Sequence, residues 1–172
     1  MTHLQRNKWI GWLIISLLSL SMSPNLHAQH KTDVGTQTKP LAKIAGFLEQ
    51  SGYTYTKVSQ NVWKVGFKGK ALSEFNVTIS GNESTLVVFV VLVEQQKSLH
   101  GNIQELMYKL LKFNDAADYV KLCIGDDSEL LVRSDLPTRT LDLQEFKHLV
   151  EQVAAAADQV YATVRAYMTP HY

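Results

Sequence analysis

The sequence predicts an α+β fold: a single antiparallel sheet with helices packed against it, in the order helix, three or four strands, helix, two strands, helix. Three observations carry that prediction. The apolar period is helical near the start of the domain, once inside it and again at its end, and falls to two elsewhere. Polar clusters of Gly, Asn, Asp and Ser separate the short period-two runs, as turns require. One run, "TLVVFVVLVE" (85–94), is apolar on both parities, which suits a strand in the middle of a sheet.

The first helix is "PLAKIAGFLEQSGY", opening at Pro40. Leu41, Ile44, Ala45 and Leu48 recur at helical spacing, and Gly52 is placed to close it. "TYTKV" then reads as a first strand. In "VWKVGFK", Trp63, Val65 and Phe67 point one way while Lys64 and Lys68 point the other. In "EFNVTIS", Phe75, Val77 and Ile79 alternate with Glu74, Asn76, Thr78 and Ser80. Each of these two strands has one wet face. "GNES" (81–84) turns the chain into the run at 85–94.

In that run Leu86, Val88, Val90 and Leu92 share one side, and Val87, Phe89, Val91 and Val93 the other. The expectation is a strand covered on both faces, because water on either side would meet four large apolar side chains. Leu86, Val88, Val90 and Leu92 are the candidate surface for a partner or a second subunit.

"NIQELMYKLLKFN" restores helical spacing through Ile103, Leu106, Met107 and Leu110, with Asn114 as its expected end. Two strands follow, "DYVKLCI" and "ELLVR", joined by the turn "GDDS". Leu130 and Val132 are expected inward, with Glu129, Leu131 and Arg133 outward and Asp135 beyond the strand. The last helix carries a stripe through Leu143, Phe146, Val150, Val153, Ala157, Val160, Val164 and Met168. Asp142 and Glu145 have capping-box spacing at its start.

The N-terminus has the form of an export signal. Arg6 and Lys8 precede an apolar run at residues 9–20, and a polar stretch leads to Ala28. The run is shorter than the roughly 20 residues a membrane span needs. Residues 1–28 are therefore expected to be a cleaved signal peptide, 29–39 a flexible leader and 40–168 one domain, periplasmic or secreted.

Composition excludes one partner class. The chain has 17 basic and 16 acidic side chains; without residues 1–28 the balance is 15 against 16, with both signs mixed along the sequence. No basic patch exists for phosphate neutralisation, so nucleic acid is not an expected partner. The single cysteine, Cys123, cannot form an intrachain disulfide and reads as a buried, inert thiol in "YVKLCI".

The densest reactive group is "CIGDDSELLVRSDLP" (123–137). A metal-dependent hydrolase using Asp126, Asp127 and Glu129 is the functional alternative to a solvated turn. A calcium loop needs oxygen ligands at regular offsets and a later bidentate Glu, and this spacing does not match. His30, His100, His148 and His171 form no H-E-x-x-H pair, and Ser51, Ser80 and Ser134 lack a G-x-S-x-G setting. "GFKGK" (66–70) is not a phosphate loop. No cofactor is implied.

The same order of elements, with "LLKFNDAADYVKLCIGDDSELLVRSDLPTRTLDLQEFKHLVEQV", is similar to the YbjN family of bacterial sensory-transduction regulators. That domain resembles the class I type III secretion chaperones. The resemblance spans residues 40–167 and rests on "LLKFN", on the hairpin pattern from 122 to 137, and on the helix beginning near Leu141. It implies a secretion-chaperone-like fold and a role in binding or regulation without catalysis. Such chaperones dimerise and hold extended client segments on apolar surfaces. They work in the cytosol, whereas this chain opens with an export signal. The reading is therefore an exported, non-enzymatic protein that binds a protein or peptide partner, as a homodimer in one form. A carrier of a small apolar ligand between helix and sheet is the third reading.

Overall fold

The computed structural model describes residues 39–95 and 98–168. The expected signal peptide and the leader up to residue 38 lie outside the described residues. The chain forms α1 (Lys39–Ser51), β1 (Tyr55–Ser59), β2 (Val62–Phe67), β3 (Phe75–Gly81), β4 (Thr85–Val93), α2 (Ile103–Ala116), β5 (Lys121–Ile124), β6 (Leu130–Pro137) and α3 (Leu143–Val164), with a 3-10 turn at Arg165–Tyr167. The α+β order anticipated from the apolar periods is the order of the fold.

All pairings are antiparallel, in one six-stranded sheet ordered β1-β2-β3-β4-β6-β5. The last strand enters between β4 and β5 and makes β4 central. Local chemistry sets the connections. Gly52 takes φ 80° after α1, a conformation that costs glycine nothing. At the β3–β4 turn the Asn82 side-chain oxygen accepts from the Ser84 and Thr85 amides at 2.9 and 2.8 Å. Asn102 and Asp142 cap α2 and α3 by accepting from the Glu105 and Glu145 amides at 3.1 and 2.8 Å.

The core lies between one face of the sheet and the helices. Trp63, Val65, Val77, Ile79, Leu86, Val88, Val90, Leu122 and Val132 supply the sheet side. Phe146, Leu149, Val150, Val153, Ala157 and Val160 of α3 lie on it, flanked by Ile44 and Leu48 of α1 and by Leu106 and Leu110 of α2. Phe47 and Phe146 join α1 to α3, with ring centroids 5.7 Å apart.

The loop between β2 and β3 is tied to α3 by one carboxylate. Asp158 accepts from the amides of Lys70, Ala71 and Leu72 at 3.0, 2.8 and 2.8 Å. Gly69 opens this loop because a Cβ there would overlap the Asp158 carboxylate and come within 2.9 Å of the Leu72 carbonyl oxygen.

Three expectations are corrected. From Thr85 to Val91 β4 is covered on one face only: Val87 and Phe89 are half-buried and Val91 is 40% exposed. Val93, expected on the same side, is 3% exposed because the register shifts after Val91 and pairs it with inward Leu130. Asp135 lies within β6, which continues to Pro137 because the nine-residue β4 pairs along it from Thr85 to Val93. Asn114 does not end α2, which runs on to Ala116.

Candidate functional site

The face of the sheet that meets the helices takes one parity of every strand, and β4 contributes Leu86, Val88, Val90 and Leu92 to it. Their exposures are 0, 0, 2 and 6%. Packed under α3, these four form the core and offer no surface to a partner of the folded domain. The reason is register: Val88 pairs with Ile79, whose alternation with wet Thr78 and Ser80 already commits it inward.

The opposite parity builds a second face, and no helix among the described residues packs its buried side chains there. It is legible as rows across the strands. One row runs Thr56, Lys64, Thr78, Phe89, Arg133 and Lys121. On one side of it lie Val62, Ser80, Val87 and Asp135. On the other side Val91, Leu131 and Cys123 are paired across β4, β6 and β5. The middle of this face is therefore an apolar strip of Val87, Phe89 and Val91, beside Leu131, which has the same parity but is buried at 8% exposure.

Charge borders the strip. Asp135 accepts from Arg133 Nε at 2.8 Å and also pairs with Lys121 across the β5–β6 ladder. Partial burial pushes the Asp135 carboxyl up, but the hydrogen bonds and charges of Lys121 and Arg133 outweigh it and hold the group below its ordinary range. Beyond Val91 a groove of about 510 Å³ is lined by Lys64, Asn76 and Thr78 on one side and by Glu94, Asp127 and Glu129 on the other. Cys123 is half-buried on this face, since β5 is an edge strand.

The acidic stretch forms a hairpin turn. Gly125 donates to the Glu129 carbonyl at 2.9 Å, Ser128 donates back to Gly125 at 3.0 Å, and Ser128 takes φ 65°. Glu129 accepts from the Asp127 amide at 3.1 Å, so its carboxylate serves the turn. Among the described residues no group of three His, Cys, Asp or Glu side chains is placed to hold a metal ion. Sequence reasoning missed Phe89 and the Lys121–Asp135–Arg133 set. The wet parities of β2 and β3 were visible, but only the pairing of β4 with β3 transfers that wet side to Val87, Phe89 and Val91.

These features can be set beside known proteins. A family model, YbjN, whose description reads "Putative bacterial sensory transduction regulator", matches residues 40–166. The chain belongs to the YbjN family. The crystal structure of YbjN from E. coli is 18% identical, covers 76% of this chain and 96% of its own, and superposes with a TM-score of 0.54. A chain of the ExsC–ExsE complex is 13% identical over 74% of this chain and 95% of its own, with a TM-score of 0.51. A protein from Methanothermobacter thermautotrophicus is 14% identical, covers 74% of this chain and 97% of its own, and also has a TM-score of 0.51. These structures share the YbjN fold with this chain. No curated protein matches it.

Proposed function

We propose that this YbjN-family chain is an exported, non-enzymatic binding or regulatory protein that takes a protein or peptide partner on the open face of its sheet. One observation carries the reading: Val87, Phe89 and Val91 form an apolar strip at the centre of the sheet that the described helices leave uncovered. The same fold in the ExsC–ExsE complex was solved with a protein partner, which supports a binding role. Export is supported by Arg6, Lys8, the apolar run and Ala28.

A photo-crosslinking residue in place of Val91, compared with one at Ala162 on the outer side of α3, tests the docking face in the cell. Crosslinks at position 91 and none at 162 are expected, and a product of twice the chain's mass identifies a second copy. Equal labelling at both positions counts against the face. Intact mass of the protein from the cell envelope tests export, with loss of residues 1–28 as the expected result.

A further inference from the structure

The open face constrains what can sit on it. The backbone N–H and C=O groups of β4 and β6 lie in the plane of the sheet and point towards neighbouring strands, not off its face. β4 is paired with β3 from Leu86 to Phe89 and with β6 from Thr85 to Val93. A partner lying over Val87, Phe89 and Val91 finds apolar side chains and no main-chain groups directed at it. Its own buried backbone must then be satisfied internally, because an unpaired buried amide is costly. An α-helix meets that condition and an extended segment does not. The strip suits a helix in length as well: from Val87 to Val91 is roughly 13 Å at strand spacing, close to two and a half helical turns.

Charge sets the orientation. At the Val91 end the groove of about 510 Å³ carries three carboxylates, Glu94, Asp127 and Glu129, and, among the described residues, one lysine, Lys64. Level with Phe89, Lys121 and Arg133 share Asp135, which lies in the Val87 row. A basic side chain is therefore favoured at the groove end, where its stem can lie on Val91, which is 40% exposed.

We infer that the partner on this face is an amphipathic helix with an apolar stripe and a lysine or arginine at the end overlying Glu94, Asp127 and Glu129. This rests on the reading of the open face as a docking surface.

The test uses the full chain and three synthetic helices of 18 residues with one Leu/Phe stripe at i, i+4, i+7 spacing. They end in paired Lys, paired Gln or paired Glu. A fourth peptide has the Lys-ended composition with a central proline that breaks the helix. Fluorescence anisotropy at low salt is expected to show the Lys-ended helix binding about three to tenfold more tightly than the Glu-ended one, as two or three exposed ion pairs allow. The difference should shrink in 0.5 M salt and in a Glu94→Gln, Asp127→Asn variant. Phe89→Ser should weaken all the peptides.

Equal affinity for the three helices, with Phe89→Ser still weakening them, overturns the charge assignment and leaves the docking face standing. Equal or tighter binding of the proline peptide overturns the helix assignment in the same way. Binding indifferent to Phe89→Ser overturns the inference together with the docking face. Absence of binding by every peptide overturns the inference alone if crosslinks still form at position 91.

Discussion

The side-chain amide of Asn114 in α2 brackets the backbone of Leu122 in the edge strand β5. Its oxygen accepts from the Leu122 N–H at 2.6 Å and its nitrogen donates to the Leu122 carbonyl at 3.1 Å. A strand edge otherwise presents these groups as a template for another chain. Here one residue fills them from inside the molecule and joins the end of α2 to the sheet.

Asn114→Ala removes both bonds and leaves a partly buried donor and acceptor unpaired. The expected cost is about 1–3 kcal/mol, read from urea unfolding followed by circular dichroism. Asn114→Asp should also destabilise, because a carboxylate cannot donate to the Leu122 carbonyl. Size-exclusion chromatography of Asn114→Ala should show concentration-dependent association if the freed edge pairs between chains. An unchanged midpoint in both variants would show that the bracket contributes nothing.

Adjacent residues of β4 should respond in opposite ways to charge. Val88 is fully buried under α3, so Val88→Asp places a carboxylate in the core without a partner. A loss on the order of 4 kcal/mol or more, with no folded population, is expected. Phe89 points to the open face, and Phe89→Asp should keep the far-ultraviolet spectrum and lose at most about 2 kcal/mol. If Phe89→Asp unfolds the chain as Val88→Asp does, the second face is covered after all.

Asp126 and Asp127 are exposed in the β5–β6 turn. Replacing both with Asn retains turn-forming side chains and should change stability by less than about 0.5 kcal/mol. Melting curves with calcium, zinc or a chelator should coincide for the wild-type chain. A metal-dependent rise in Tm that the double variant abolishes would revive a metal role for the acidic stretch.

Asp158 should make stability depend on acid. The amides of Leu72, Lys70 and Ala71 hold its carboxyl below the ordinary range against a smaller effect of burial, and the Lys70 charge adds to them. Because the folded pKa is the lower one, this contribution is complete above the unfolded aspartate pKa of about 3.9. It is lost as pH falls through the folded pKa. Urea unfolding from pH 6 to pH 2 should show a shallower fall for Asp158→Asn than for the wild type. Parallel curves would remove Asp158 from the acid response. Gly69→Ala should destabilise at neutral pH, since its Cβ would meet the Asp158 carboxylate and the Leu72 carbonyl.

Element type, order and turn chemistry were readable because they depend on neighbours a few positions apart. Helical spacing in "PLAKIAGFLEQ", alternation in "EFNVTIS", Asn82 and Asp142 at their turns and Gly52 after α1 all act within one turn or one strand. The family resemblance drew on the same local pattern. What the sequence left open was every question of which side. Period two divides β4 into two sets of apolar residues and treats them alike. Only its register with β3 and β6 puts Leu86, Val88, Val90 and Leu92 under α3 and leaves Val87, Phe89 and Val91 open. The contact of Asn114 with Leu122 spans 8 positions, and that of Asp158 with the β2–β3 loop spans 86 to 88. Such contacts exist only once the chain has closed on itself. Tertiary structure decided them because burial belongs to the packed layers, whereas periodicity is a property of one segment at a time.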